Sequence, residues 1–382
     1  MIYLDNSATS FPKPASVYNA VESSMKHFGA NPGRSGHKMS LTASEMVYKC
    51  REALAGLYNI KKPENIVFTP NCTYALNTVI KGYIKPNDHI VVSELEHNSV
   101  LRPLQALSDT GVAYTPVRVI HGDFEATIDN FRNAINEKTK LFIITHASNV
   151  TGTILPVARI IALAHQYNIK VLLDSAQSSG ILPIDVENMN IDFLASAGHK
   201  GLFGPMGTGV LYIRNPEEIP AMVCGGTGSS YIEIMQPLSM PDKYESGTCN
   251  LSGICGLLKG VEFVEKTGID KIYEHEFNLL AQLYNGLSTI KNVRLYTQTP
   301  KKGYQAPLLS FNIGNLHSEK VATLLSDKYN IAVRAGLHCA PLAHKKLGTE
   351  EQGTVRASLS YFNKSSDINT LINAVRKISY QL

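Results

Sequence analysis

Short apolar runs rich in β-branched residues recur along the chain, separated by stretches whose apolar positions fall at helical spacing. The runs at 65–69, 88–93, 140–145, 170–174 and 209–213 read as strands, and the segments 40–58 and 156–167 read as amphipathic helices. Nearly continuous apolar strands alternating with helices predict a mostly parallel sheet covered on both faces, hence an α/β fold. Beyond residue 250 the pattern changes. Helix is expected through 266 and again to 290, strand at 306–313 and 331–334, and a C-terminal helix at 367–378. The reading is a large domain at 12–260 and a smaller α+β domain at 261–382, with residues 1–11 packing against the smaller one. Glycine- and proline-rich stretches at 11–14 and 201–209 are short enough to be turns, and no internal repeat or long linker interrupts the chain.

A length of 382 residues exceeds what one core usually organises and leaves room for a deep cleft. The net charge of +4 is small and scattered rather than gathered on one face, which argues against a nucleic-acid partner. The N-terminus has an acid at Asp5 and no apolar leader, and no stretch approaches the roughly 18 apolar residues that span a bilayer. The expectation is a soluble cytoplasmic protein that does not associate with a membrane. Its six cysteines include no C-x-x-C pair, so free thiols are expected rather than a disulfide scaffold or a zinc cluster. The spacing of His338, Cys339 and His344 also matches no zinc-ligand pattern, and no metal is expected.

In open parallel sheets ligands sit outside the carboxyl ends of the strands. Polar residues in that position include Thr73, Asn77, Glu96, His97, Asn98, Asn149, Asp174 and Gln177. Asp174 ends an apolar run, so its carboxylate needs a partner: a pyridinium nitrogen, a structural arginine, or the start of the next helix. Lys200 lies among small residues in Ser196-Ala-Gly-His-Lys-Gly, where a confined amine loses its proton and forms a Schiff base; a solvated loop lysine is the other reading. The turn Asn71-Cys72-Thr73 opens a helix whose free N–H groups suit a phosphate. Cys339 sits in a glycine- and proline-flanked loop beside His338 and near Arg334, the setting expected of a reactive thiol, since cationic neighbours favour a thiolate.

Together, Leu173-Asp-Ser-Ala-Gln177 and Ser196-Ala-Gly-His-Lys-Gly-Leu-Phe-Gly-Pro205 resemble the cofactor signature of the class V aminotransferases, the fold-type I pyridoxal-phosphate (PLP) enzymes. Within that family the chain is most similar to the group II cysteine desulfurases and selenocysteine lyases, from Tyr3-Leu-Asp-Asn-Ser-Ala-Thr9 to Val355-Arg-Ala-Ser358. The resemblance implies PLP bound covalently to Lys200, Asp174 on the pyridinium nitrogen, Gln177 on the ring hydroxyl, and His97 stacked on the ring and moving protons. It places Cys72, Thr73, Ser196 and His199 around the cofactor phosphate and Asn149 beside cofactor and substrate. Thr248 would come from the neighbouring subunit of a homodimer with shared active sites. Arg356 would clamp the substrate carboxylate, and Cys339 would carry sulfur as a persulfide.

The implied activity is conversion of L-cysteine to L-alanine, with sulfur passed from Cys339 to a thiol or an acceptor protein. Selenocysteine lyase is the nearest alternative, followed by another class V reaction such as a transaminase, epimerase or C–S lyase. The chain departs from the family pattern at Asn71-Cys-Thr-Tyr74, where Gly-Thr-Thr-Glu is usual, and at Leu337, where a second histidine is usual.

Overall fold

The computed structural model describes residues 1–33, 35–228 and 234–381; Arg34, residues 229–233 and Leu382 lie outside the described residues. The chain opens with β1 (Ile2–Tyr3), α1 (Ala15–His27) and α2 (Lys38–Tyr58). It then builds β2 (Ile66–Thr69), α3 (Cys72–Tyr83), β3 (His89–Ser93), α4 (Asn98–Ala106) and β4 (Ala113–Val117). Next come α5 (Phe124–Asn133), β5 (Thr139–Thr145), α6 (Val157–Gln166), β6 (Lys170–Asp174), β7 (Phe193–Ala197) and β8 (Gly209–Ile213). Among the described residues β2 to β8 form a 7-stranded sheet of order β2-β8-β7-β6-β5-β3-β4.

Pairings from β4 across to β7 are parallel, whereas β8 runs antiparallel to both β2 and β7. The sheet is therefore mostly parallel, in agreement with the pattern of apolar runs. Alternate residues of each central strand serve different cores. Ile90, Val92, Leu141, Ile143 and Leu172 face one cluster, and Val91, Phe142, Ile144, Val171 and Leu173 face the other. Both faces are buried, which explains why these strands are apolar throughout.

Two strands of this sheet escaped the sequence pattern, as did the short β1, Val293–Leu295 and Thr354–Ser358 strands outside it. β4 is an edge strand, largely exposed and containing Pro116, so it carries little apolar signal. β7 reads Phe-Leu-Ala-Ser-Ala, whose small residues have low strand preference.

After α7 (Leu251–Thr267), which packs on α1 and α2, Gly268 turns the chain into α8 (Ile269–Ser288). There follow β9 (Val293–Leu295), β10 (Leu308–Ile313), α9 (Ser318–Tyr329), β11 (Ile331–Ala332), β12 (Arg334–Gly336), α10 (Pro341–Leu347), β13 (Thr354–Ser358) and α11 (Ser365–Ser379). The stretch 331–334 that reads as one strand is thus split between β11 and β12. An antiparallel sheet of order β12-β13-β10-β9 is backed by α8 and α11 over a separate core. β1 pairs with β11, and Leu4 is buried in this second core. No helix of the described residues is long and apolar enough to cross a membrane.

Candidate active site

A cavity opens at the carboxyl ends of the parallel strands, where sheets of this kind bind ligands. Its wall includes Cys72, Thr73, His97, Asn149, Asp174, Gln177, His199 and Lys200. Most of the residues singled out from sequence therefore meet in one place.

Asp174 ends β6 and is buried. Its Oδ1 accepts the Ala176 N–H at 2.9 Å and faces the Cys72 thiol at 3.7 Å, while Oδ2 has no protein donor among the described residues. Burial raises its pKa, opposed by the Ala176 N–H and by Lys200. A carboxylate with one oxygen committed and one open fits a cationic ring nitrogen. Lys200 follows β7 in a glycine-lined turn; Gly198 and Gly201 pack so closely on Thr208 and Ser179 that a Cβ at either would clash. Burial lowers the pKa of the Lys200 amine, partly offset by Cys72 and Asp174, so the neutral form that acts as a nucleophile becomes accessible.

His97 caps α4. Its Nδ1 accepts the Ser99 N–H at 3.0 Å, which places the proton of the neutral ring on Nε2. Burial, then the charge of Lys200, pushes its pKa down to about 4, and His199 is likewise pushed to about 4. At α3 the Asn71 side chain takes the Tyr74 N–H. The cavity thus faces the opening of a helix, with the Thr73 hydroxyl at 2.7 Å from Ser99, a setting that suits a phosphate. The buried Nδ1 of His199 has no partner among the described residues, a further polar atom available to a ligand. These features fit PLP: Lys200 would hold it covalently, Asp174 and Gln177 would face its ring, and Thr73 and His199 would face its phosphate.

Four predicted residues are not on this wall: Arg356 and Cys339 adjoin it through Asn149 and Asn98, while Ser196 and Thr248 lie elsewhere. Ser196 is fully buried with its hydroxyl 3.3 Å from Tyr58 Oη. Strand alternation turns Ala197, not Ser196, to the cavity, so Ser196 does not reach the phosphate end as the motif suggested. Thr248 is exposed on a loop lining a separate groove with Tyr74 and Asn250, outside the cavity of its own chain.

Arg356 projects from β13 and is 1% exposed. It donates to the Asn149 carbonyl at 2.9 Å and to Asp5 Oδ1 at 3.0 Å. Burial pulls its pKa down to about 10 against the opposing effect of Asp5, so it stays cationic at neutral pH.

Cys339 is an exposed free thiol between β12 and α10. Both it and His338 adopt left-handed backbone, with φ of 58° and 48°, conformations that cost non-glycine residues energy. Two bonds hold the turn against the cavity wall: Asn98 N–H to the Cys339 carbonyl at 2.7 Å, and Asn149 Nδ2 to the His338 carbonyl at 2.7 Å. His338 differs from the expectation of a cationic neighbour. Its ring is buried against Thr354, and burial pushes its pKa down to about 2, so it anchors the loop as a neutral group. Asp5 and Ser99 were not singled out from sequence. Asp5 follows a strand too short to show a period, and Ser99 lies just past the polar strand-end group at 96–98.

The sequence matches the Aminotransferase class-V family over residues 2–371. It is 36% identical to a probable cysteine desulfurase of Methanothermobacter thermautotrophicus, covering 99% of this chain and 94% of the relative. It is 33% identical to the cysteine desulfurase of Escherichia coli O8, covering 99% and 93%. Among solved structures, the apo cysteine desulfurase of Thermococcus onnurineus superposes with a TM-score of 0.92 at 32% identity, covering 100% of this chain and 95% of that one. The E. coli cysteine desulfurase CsdA in its S-sulfonic acid form gives 0.88 at 30% identity, with the same coverage. The chain belongs to the class-V aminotransferase family, whose members use PLP.

Proposed function

We propose that this protein is a PLP-dependent cysteine desulfurase that converts L-cysteine to L-alanine and collects the sulfur on Cys339. The observation that carries the reading is the tethering of the Cys339 turn, through Asn98 and Asn149, to the wall of the cavity that contains Lys200, His97 and Asp174.

When bound, PLP supplies an electron sink next to the substrate carbon. Lys200, with its lowered proton affinity, holds the cofactor and moves the α-proton, and His97 offers its Nε2–H to the same space. Arg356 binds the substrate carboxylate. Cys339 attacks the substrate sulfur as a thiolate: an S–S bond forms, the C–S bond breaks, and the carbon gains a proton to leave as alanine. The exposure of Cys339 and Leu337 supports transfer of the sulfur onward to a thiol or an acceptor protein.

Thr248 would complete the cofactor site of the other subunit of a homodimer, a reading supported by its exposure and its distance from its own cavity. A division near residue 260 into two domains belongs to the same reading and is supported by the separate core around β10 and α8. Cytoplasmic location is likewise part of the proposal.

The test is to incubate purified holoenzyme with L-cysteine and dithiothreitol and to quantify sulfide and alanine together. Equal amounts, lost in Lys200→Ala and Cys339→Ser, support the function. Cofactor bound on Lys200 with neither product formed would overturn it and direct attention to selenocysteine or another amino acid.

A further inference from the structure

We propose that Asp5 is the resident counter-ion of Arg356, a positioning residue that gives way to the substrate carboxylate and returns as product leaves. The inference rests on the reading of Arg356 as the carboxylate-binding residue of the desulfurase.

Among the described residues, two buried arginines, Arg51 and Arg356, pair with partly exposed carboxylates in different ways. Arg51 and Glu245 meet through two bonds, Nη1 to Oε1 and Nη2 to Oε2, both at 2.9 Å. Glu245 also accepts the Phe68 N–H, and Arg51 donates to the Ile66 carbonyl. That pair is closed, as expected of a permanent structural bridge. Arg356 and Asp5 meet through one bond only, Nη2 to Oδ1 at 3.0 Å. Nη1 goes to a backbone carbonyl, and Nε is buried with no partner among the described residues. The guanidinium thus keeps unused donors, while its side chain is only 2% exposed and that of Asp5 is 21% exposed.

A buried guanidinium needs an anion nearby when no substrate is present. A single-point bond to a partly solvated carboxylate meets that need while remaining exchangeable. An incoming carboxylate can take two donors at once, and the two anions then repel across one cation. Asp5 keeps a solvated side toward which it can turn, whereas Arg356 is held in place by the Asn149 carbonyl. β1 and the bridge from Asp5 to Ser358 on β13 fix the backbone on which this exchange takes place. The consequence is competition: the charge of Asp5 weakens every ligand that presents a carboxylate to Arg356, product as well as substrate.

The test titrates L-alanine into holoenzyme and follows the cofactor absorbance, beside 2-aminoethanethiol, which has the thiol and amine of cysteine but no carboxylate. Asp5→Asn keeps the shape and an acceptor oxygen and removes the charge. L-alanine is expected to bind about tenfold more tightly, the KM for L-cysteine to fall in parallel, and 2-aminoethanethiol binding to stay unchanged. Asp5→Ser, checked for folding by its melting curve, is expected to shift in the same direction. Equal or weaker alanine binding in both variants, or an equal shift for both ligands, would overturn the exchange. Wild-type activity in the same preparation separates the two readings. An inactive wild type removes the desulfurase function, whereas an active wild type with unshifted variants removes only the role of Asp5.

Discussion

The side-chain amide of Asn149 donates to the carbonyl of His338 at 2.7 Å, joining the cavity wall to the residue that precedes the exposed Cys339. Because His338 and Cys339 both hold left-handed backbone, the turn stays where it is only while external bonds pay for that conformation. Asn149→Ala removes one of the two bonds that tie the turn to the cavity side, leaving the His338 ring on Thr354. Alanine formation is expected to fall by up to roughly 100-fold, because a reacting sulfur displaced by about 1 Å is badly placed. Alkylation of Cys339 by iodoacetamide is expected to accelerate in the same variant; unchanged rates for both would remove the tether from the account.

Ser196 and Thr73 separate two roles that the motif had merged. Ser196→Ala breaks a buried contact with Tyr58 and is expected to lower stability by about 1 kcal/mol, with cofactor affinity unaltered. Thr73→Ala touches the cavity wall at the start of α3 and is expected to weaken PLP roughly tenfold or more. Denaturant titration and cofactor titration of both variants distinguish these outcomes.

Glu276 on α8 is buried, its Oε2 has no partner among the described residues, and burial raises its pKa to about 8. The folded state therefore binds a proton that the unfolded state has released above its ordinary value. This contribution is present at low pH and is lost as pH rises through about 8. Glu276→Gln keeps the acceptor oxygen and removes the titration. The variant is expected to match the wild type in melting temperature near pH 5 and to exceed it near pH 9; a constant difference across that range would show that Glu276 is ionised in the folded protein.

The central strands were legible in the sequence because burial on both faces leaves them apolar throughout. Asp174, His97 and Lys200 were legible because strand ends and glycine-lined turns are where such a sheet binds ligands. Edge strand β4 was hidden by its exposure and Pro116. Ser196 was misplaced because a motif gives order along the chain, whereas the pleat of β7 decides which face each residue meets. His338 beside Cys339 suggested a charge, but only packing against Thr354 reveals that its ring is buried and neutral. Asp5 lies 351 residues from Arg356, a separation across which no local pattern carries information.

The central claim is that sulfur passes through Cys339. Intact-mass and peptide mass spectrometry of holoenzyme exposed to L-cysteine without reductant tests it most directly. The account predicts one added sulfur atom on Cys339, absent in Lys200→Ala and discharged by dithiothreitol as sulfide. Alanine production with no sulfur on Cys339, or undiminished in Cys339→Ser, would contradict it.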